Sequence, residues 1–199
     1  MRNIRKTFQT IIAGIVVYLL LGVLSGNNNS FLEQFNLNLN LNDQKKSIVL
    51  ENEEAIVLRV IDGDTIQVLN SEGKEETVRM LLVDTPESVH PDKTPQMFGK
   101  EASDFTKKHL QGKKITLEKG VIDKDRYGRT LAYVFVDGIN FNKRLIEKGY
   151  ARVAYVQEPN TKYLDEFKKA EEKAKEKGLN IWSVPNYVTD KGFDMSVIQ

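Results

Sequence analysis

Acidic and basic residues that could together cleave a phosphodiester bond lie between positions 64 and 129 of the sequence. Three carboxylates, those of Asp64, Asp84 and Glu87, occur there with the guanidinium groups of Arg79 and Arg129. Two carboxylates can hold a hard divalent cation, and a third can orient or deprotonate a water molecule. Arginines can hold a phosphate while its charge rearranges. This combination indicates metal-assisted hydrolysis of a phosphodiester.

Asp64 lies in Asp62-Gly63-Asp64, a sequence that also has a purely structural interpretation. Asp-Gly is a frequent hairpin turn, and an acid beside it commonly caps the turn. The sequence alone therefore leaves both roles open for Asp64.

Arg79 is a charged residue within an apolar segment that is predicted to form a strand from about Glu75 to Val83. Strand alternation places Leu81 and Val83 on the same face as Arg79. A guanidinium among apolar neighbours needs an anionic partner. That partner is either a substrate phosphate or a carboxylate in a structural salt bridge.

Asp84-Thr85-Pro86-Glu87 follows this strand, and strand ends commonly present reactive groups. An Asx-type turn ahead of Pro86 would explain Asp84 and Thr85 without any function, but it would not explain Glu87.

A second loop offers two arginines and a phenol, which together could hold a phosphate: Arg126, Tyr127 and Arg129. Its start, residues 123–128, resembles an EF-hand loop, but Tyr127 and Val134 occupy positions that require oxygen ligands. We therefore reject an EF-hand. Solvated loop charges are the alternative interpretation.

Composition excludes several other chemistries. The chain has no cysteine, so neither a thiolate metal site nor a cysteine nucleophile can form. His90 and His109 do not have zinc-ligand spacing and are expected to be structural or surface residues. Beyond residue 26 there are 26 basic and 28 acidic residues, so nucleic acid would have to be bound by a local site and not by an overall basic field.

The hydrophobic pattern predicts five strands, over residues 56–61, 65–69, 75–83, 114–118 and 131–136. Helices are predicted over 98–111, from a cap at Asn142 to Gly149, and over 162–177 with Asn160 or Thr161 as cap. This order indicates an α+β domain, mainly β, built as a five-stranded Greek-key barrel of the OB type with three helices.

The ends of the chain predict three further segments. Residues 1–26 carry Arg2, Arg5 and Lys6 ahead of an apolar run over 11–24, which predicts an export signal cleaved after Ser25. An uncleaved anchor in the cytoplasmic membrane is the alternative. Residues 27–52 form an Asn-rich linker, 53–184 the folded domain, and 185–199 a tail that is expected to be frayed.

With these residues in place, the chain closely resembles the staphylococcal nuclease (thermonuclease) family over roughly residues 54–183. The matching stretches are Ile61-Asp62-Gly63-Asp64-Thr65, Arg79 to Glu87, parts of Lys124 to Tyr133, Val153-Ala154-Tyr155-Val156 and Leu179-Asn180-Ile181-Trp182-Ser183. The resemblance implies an OB-fold barrel, expected to be monomeric, that hydrolyses DNA and RNA with Ca²⁺ and leaves 3′-phosphate ends. Single-stranded or unpaired substrate is expected to be favoured.

The resemblance also implies which residues bind the cation and the attacking water. Asp64 and Asp84 would ligate Ca²⁺ with help from the Thr85 carbonyl. Glu87 would position or deprotonate the attacking water.

The remaining roles implied by the resemblance concern the substrate. Arg79 and Arg129 would bind the scissile phosphate. The nucleotide would be held by Arg126, Tyr127, Tyr155 and Lys93. The chain departs from the family pattern at Gln157, which replaces a second tyrosine, and in a less basic loop over 91–95.

Two function classes remain from the sequence. One is an exported, calcium-dependent nuclease, either secreted or anchored to the outer face of the cytoplasmic membrane through residues 11–24. The other is a catalytically inactive OB-fold module that binds nucleic acid or protein. All five charged residues of the first paragraph are present, which favours the enzyme.

Overall fold

The computed structural model describes residues 52–88 and 94–198 of the chain. Its strands are β1 Asn52–Asp62, β2 Thr65–Asn70, β3 Glu75–Met80, β4 Val83–Asp84, β5 Lys114–Lys124, β6 Thr130–Val136, β7 Ile139–Asn140, β8 Arg152–Val153, β9 Val188–Thr189 and β10 Gly192–Phe193. Its helices are α1 Gly99–Leu110, α2 Phe141–Glu147 and α3 Leu164–Glu176.

Five of these strands close into a barrel. The antiparallel order β3-β2-β1-β5-β6 is completed by a parallel pairing of β3 with β6, in which Val78 lies opposite Thr130. Alternating apolar side chains fill the interior, including fully buried Val57, Ile66 and Leu117. The predicted five-stranded OB-type barrel with three helices is therefore confirmed for the part of the chain that the structure describes.

The strand predicted over 75–83 is interrupted, and that prediction was wrong in its second half. β3 ends at Met80, and Leu82 has a left-handed backbone with φ of 60°. The chain then leaves the barrel, and the short strand β4 pairs with β8, with Asp84 opposite Arg152. This turn directs Asp84 away from the line of β3.

β5 is longer than predicted and continues to Lys124 because Asn160 supports its far half. The Asn160 amide accepts from Ile122 N at 3.2 Å and donates to Ile122 O at 2.8 Å. A Cβ at Gly120 would lie 2.6 Å from Asn160 Nδ2, so glycine makes room for this contact. Asn160 therefore does not cap α3.

Both predicted helix caps were wrong. α3 begins after Tyr163, whose side chain makes no capping hydrogen bond. α2 is capped by Asn140, which accepts from Lys143 N at 3.1 Å. Asn142 is fully buried instead and joins β6 to the β3–β4 turn, because it accepts from Val134 N and donates to Leu81 O, both at 2.9 Å.

The segment after Pro185 is folded, contrary to the expected fraying. Tyr187 is fully buried, and its hydroxyl donates to Met97 O at 2.6 Å. β9 and β10 form a hairpin in which Phe193 lies opposite Val188. We call residues 187–194 the C-terminal hairpin. It packs beside the start of α1, where the Phe98 and Tyr187 rings are 6.1 Å apart.

Two other predictions concern the histidines and the N-terminus. His109 is structural, as expected, with its ring 4.2 Å from that of Phe105 and its Nδ1 2.8 Å from Phe105 O. His90, the export segment 1–26 and residues 27–51 of the linker lie outside the described residues. Over 52–88 and 94–198, no helix combines the length and apolar character needed to cross a bilayer.

Candidate active site

Asp64 is fixed at the end of the β1–β2 turn by Thr85. Its Oδ2 accepts from Thr85 N at 2.9 Å and from Thr85 Oγ1 at 3.1 Å. A Cβ at Gly63 would lie 2.7 Å from Thr85 Oγ1, so this close approach requires glycine. Asp64 thus belongs to the hairpin turn and also reaches across to the loop after β4.

Arg79 lies between the two candidate metal-binding carboxylates. Its Nη2 is 3.1 Å from Asp64 Oδ2 and 3.7 Å from Asp84 Oδ1, and the side chain is only 11 % exposed. Nη1 donates to the carbonyls of Met80 at 3.2 Å and Val83 at 3.0 Å. The structural salt bridge considered from the sequence is therefore present, and it is part of the candidate site itself.

Asp84 has a second cationic partner, Arg152, which the sequence did not single out. Arg152 Nε donates to Asp84 Oδ2 at 2.9 Å. Burial, together with the nearby charge of Asp64, raises the pKa of Asp84, although Arg152 and Arg79 lower it. Asp64 and Asp84 thus share Arg79, and Arg152 is a second partner of Asp84 alone.

Glu87 is exposed at the edge of this group, on the loop that precedes α1. Its backbone N–H donates to Gln96 Oε1 at 2.8 Å, and its carbonyl accepts from Gln96 N at 2.8 Å. The loop is therefore fixed at Glu87 while the carboxylate stays accessible to solvent.

Asp62 is a second residue that the sequence did not single out. It is buried and accepts from Ser88 Oγ at 2.6 Å. Burial raises the pKa of Asp62 to about 7, with contributions from the nearby carboxyl groups of Glu87 and Asp64. Asp62 anchors the loop that carries Glu87. Its place as the first acid of the Asp62-Gly63-Asp64 turn was the only sequence signal for it.

Asp125 orients Arg129 through two hydrogen bonds. Arg129 Nε donates to Asp125 Oδ2 at 2.7 Å, and Asp125 Oδ1 accepts the Arg129 N–H at 3.0 Å. Hydrogen bonds from Arg129 and Tyr127 outweigh burial and lower the pKa of Asp125. The exposed Tyr127 ring lies 5.5 Å from Arg129 Cζ and 4.7 Å from Arg126 Cζ.

Tyr155 covers Arg79 from the other side. Its ring centroid is 5.3 Å from Arg79 Cζ, and 69 % of the residue is exposed. Tyr155 has a φ of 52°, a left-handed conformation that is uncommon for an aromatic residue and turns the ring back over the site.

One cleft of about 810 Å³ brings these side chains together. It is lined by nine of the ten residues predicted from the sequence: Asp64, Arg79, Asp84, Thr85, Glu87, Arg126, Tyr127, Arg129 and Tyr155. Gln157 also lines it. The tenth predicted residue, Lys93, lies outside the described residues.

The residues at the centre of the cleft suit a hard divalent cation. No group of three or more His, Cys, Asp or Glu side chains arranged for a metal occurs in the described ranges. Asp64 and Asp84 instead supply two buried carboxylates with a threonine beside them. An all-oxygen donor set with few carboxylates fits Ca²⁺ or another oxygen-preferring ion.

Comparisons of the sequence with known proteins identify the family of this chain. A family model described as Staphylococcal nuclease homologue matches residues 77–184. The chain is 50 % identical over 137 residues to the SPbeta prophage-derived endonuclease YokF of Bacillus subtilis (strain 168), covering 68 % of this chain and 46 % of the relative. It is also 50 % identical over 137 residues to endonuclease YncB of the same organism, covering 68 % of this chain and 64 % of the relative.

A shorter relative is matched over more of its length. The chain is 49 % identical over 127 residues to the thermonuclease of Staphylococcus hyicus, covering 64 % of this chain and 74 % of that protein. The match to the two Bacillus endonucleases, by contrast, spans less than two thirds of their length. A match of this extent places the chain in the staphylococcal nuclease family.

Proposed function

We propose that this protein is an exported, calcium-dependent nuclease that hydrolyses phosphodiester bonds of DNA and RNA and leaves 3′-phosphate ends. One observation carries the proposal: Asp64, Arg79, Asp84, Glu87 and Arg129 come from separate segments of the chain and line one cleft. The relatives are named endonuclease and thermonuclease, which supports the same reaction class.

The arginines are placed to bind a phosphodiester. Arg129 is held through Nε by Asp125, so that its two Nη groups remain for a substrate in the cleft. Paired N–H donors match two phosphate oxygens and gain strength as negative charge develops on them. Arg79, with Tyr155 above it, is placed to contact the phosphate from the buried side of the cleft.

Glu87 is placed to manage the attacking water. Its carboxylate is exposed at the cleft, while its backbone is fixed by Gln96 and its neighbour Ser88 by Asp62. A carboxylate held in this way can accept a proton from water or orient the water toward phosphorus.

Asp64 and Asp84 would hold the cation with Thr85, which lies against Asp64. A bound Ca²⁺ supplies positive charge that offsets the phosphate and its transition state. The all-oxygen donor set favours Ca²⁺ over transition metals.

The exposed rings of Tyr127 and Tyr155 suit an unpaired strand. Each is more than 60 % exposed at the cleft and offers a flat surface on which a sugar or base can lie. A stacked duplex would not present its bases to these rings. We therefore propose single-stranded or locally unpaired nucleic acid as the preferred substrate, bound by a monomer.

The direct test is cleavage of single-stranded DNA and RNA by the purified full chain, with Ca²⁺ or with excess chelator. We expect cleavage with Ca²⁺, 3′-phosphate ends, and loss of cleavage with chelator. Asp64→Asn should weaken Ca²⁺ binding while the barrel remains folded. Binding of nucleic acid without cleavage under any divalent ion would instead favour the inactive OB-fold module.

A further inference from the structure

Of the two arginines that pair with Asp84 in the described part of the chain, Arg152 does not line the cleft. Its other contacts are with the C-terminal hairpin. Its Nη1 lies 3.4 Å from Thr189 O and 3.3 Å from Asp190 O. Its Cζ lies 5.9 Å from the Phe193 ring. With 11 % of its side chain exposed, Arg152 is enclosed between the hairpin and Asp84.

The hairpin is itself firmly attached. Tyr187 is fully buried, its hydroxyl bonds Met97 O, and its ring lies 5.4 Å from that of Phe193. Asp194 N donates to Tyr187 O at 2.8 Å, which closes the hairpin at its base. Arg152 therefore rests on a packed surface and not on a free tail.

The two oxygens of Asp84 are consequently unequal. Oδ2 accepts a direct, charge-assisted hydrogen bond from Arg152 Nε at 2.9 Å. Oδ1 is 3.7 Å from Arg79 Nη2, which is too far for a hydrogen bond. Within residues 52–88 and 94–198, Oδ1 is therefore the oxygen of Asp84 that accepts no side-chain hydrogen bond, and it is the better placed of the two to meet a ligand in the cleft.

We propose that Arg152, held by the C-terminal hairpin, is a positioning residue that restricts Asp84 to a single oxygen toward the cation. The inference rests on the proposed nuclease function, because Asp84 is the acid that would hold the ion. Such restriction keeps the cation weakly bound and in one place. Without it, Asp84 can turn and offer both oxygens, which binds Ca²⁺ more tightly but shifts the charge relative to the phosphate.

The proposal predicts that Ca²⁺ affinity and turnover change in opposite directions. Arg152→Met removes the bond to Oδ2 and a positive charge but keeps the unbranched side chain as far as the position of Nε. We expect Ca²⁺ to bind about three- to tenfold more tightly, because a competing cation is lost. We expect kcat at saturating Ca²⁺ to fall about 10- to 100-fold, the usual cost of losing a residue that orients a metal ligand.

Two more variants separate positioning from folding. Arg152→Lys keeps a donor for Oδ2, so its Ca²⁺ affinity and kcat should be much closer to those of the parent than the values of Arg152→Met. Phe193→Ala leaves Arg152 in place but loosens its support, and should shift both values in the same directions by a smaller factor. Lys162→Met is the matched control, since Lys162 pairs with the buried Glu118 at 2.8 Å and does not line the cleft.

Ca²⁺ affinity is measured by isothermal titration calorimetry on the full chain without nucleic acid, and kcat and KM on single-stranded DNA. Affinity and kcat that fall together with thermal stability in Arg152→Met would overturn the proposal and leave Arg152 a structural residue. Unchanged affinity and kcat would overturn it as well. Tighter Ca²⁺ binding in Arg152→Met than in the parent, with a parent that cleaves nothing, would support the role of Arg152 and contradict the nuclease function. A parent that binds no Ca²⁺ would contradict both.

Discussion

At the scale of single residues, Arg129 is held by one nitrogen, and its other two can act on a substrate. Nε is bound to Asp125, and the Nη groups make no hydrogen bond within residues 52–88 and 94–198. Arg129→Lys keeps the charge and loses the planar pair of donors. We expect turnover of single-stranded DNA to fall by about 100- to 1,000-fold or more, with little change in melting temperature.

Arg126→Lys is the matched control for this change. Arg126 is exposed on the same loop, and its Nη2 bonds the hydroxyl of its neighbour Tyr127 at 2.6 Å. The same substitution there should have a small effect on turnover. Equal losses in both variants would show that a guanidinium is needed equally at either position and that Arg129 has no special role. Retained turnover in Arg129→Lys would remove the paired donors of Arg129 from the mechanism.

A separate prediction concerns Glu87 and the attacking water. Glu87→Gln keeps the size of the side chain but removes the proton acceptor, so turnover should fall by about 10² to 10⁴ while nucleotide affinity is nearly intact. Because Glu87 is exposed, thermal stability should stay the same or rise as repulsion with Asp62 is relieved. Glu172→Gln, an exposed change on α3, is the control. A variant that loses turnover only because it unfolds would assign Glu87 to the fold.

The types of the site residues could be predicted from the sequence, and their supports could not. An Asx turn or solvated loop charges could explain Asp84 or Arg129 singly, but together with Glu87 they match the staphylococcal nuclease pattern, and that match predicts their roles. Asp62 acts through Ser88, which is 26 positions away, and Arg152 through Asp84, which is 68 positions away. Local patterns do not reveal contacts at such separations. Arg152 lies between the apolar residues Ala151 and Val153. It is therefore a charged residue within an apolar segment, the same feature that indicated a role for Arg79.

At the scale of elements, the parallel pairing of β3 with β6 is the seam that closes the barrel. Glu76 on β3 spans it: the carboxylate accepts from Thr130 Oγ1 on β6 and from Lys124 Nζ at 3.2 Å. Asn70 Nδ2 adds a third donor at 3.3 Å. Burial raises the pKa of Glu76, but these hydrogen bonds outweigh it and hold the pKa below its ordinary value of 4.5.

The lowered pKa gives a stability effect with a defined sign. A carboxyl group whose pKa is depressed by folding stabilises the native state above its unfolded pKa, and that stability is lost as the pH falls through the folded pKa. Glu76→Gln should therefore cost about 1 kcal/mol in the free energy of unfolding at pH 7, and less at pH 3. Urea unfolding at both pH values measures this.

Glu75→Gln is the matched control, because Glu75 is the adjacent, exposed residue of β3. Its carboxylate accepts only from Gln67 on β2 in the described part of the chain. Glu75→Gln should change the free energy of unfolding little at either pH. A Glu76→Gln deficit that does not shrink on acidification would contradict the ionic origin of the effect.

Strands with clear turn signals could be predicted, and interruptions without one could not. The Asp-Gly turn between β1 and β2 located that hairpin correctly. The break after Met80 falls at Leu81-Leu82, where two buried leucines give no sign of a left-handed residue. The sequence wrongly predicts Asn142 and Asn160 as helix caps, because an asparagine that bridges distant backbone groups has the same local sequence as one that caps a helix.

At the scale of the whole molecule, the prediction from the first 26 residues is that the barrel works outside the cytoplasmic membrane. In a producing cell we expect the nuclease in the medium, with Gly26 as its first residue, because cleavage is predicted after Ser25. Fractionation and intact mass measure this. Recovery in the membrane fraction with residues 1–26 retained would favour the anchor, and activity found only in the cytosol would contradict both.

Arg79 has a consequence for how the whole protein folds. It neutralises Asp64 from within the fold, beside Asp84, so these buried acids have a counter-ion of their own before any calcium arrives. We therefore expect the barrel to fold without a bound cation. Repeated cycles of chelation and calcium addition should switch cleavage off and on at once, with no refolding delay and no loss of yield.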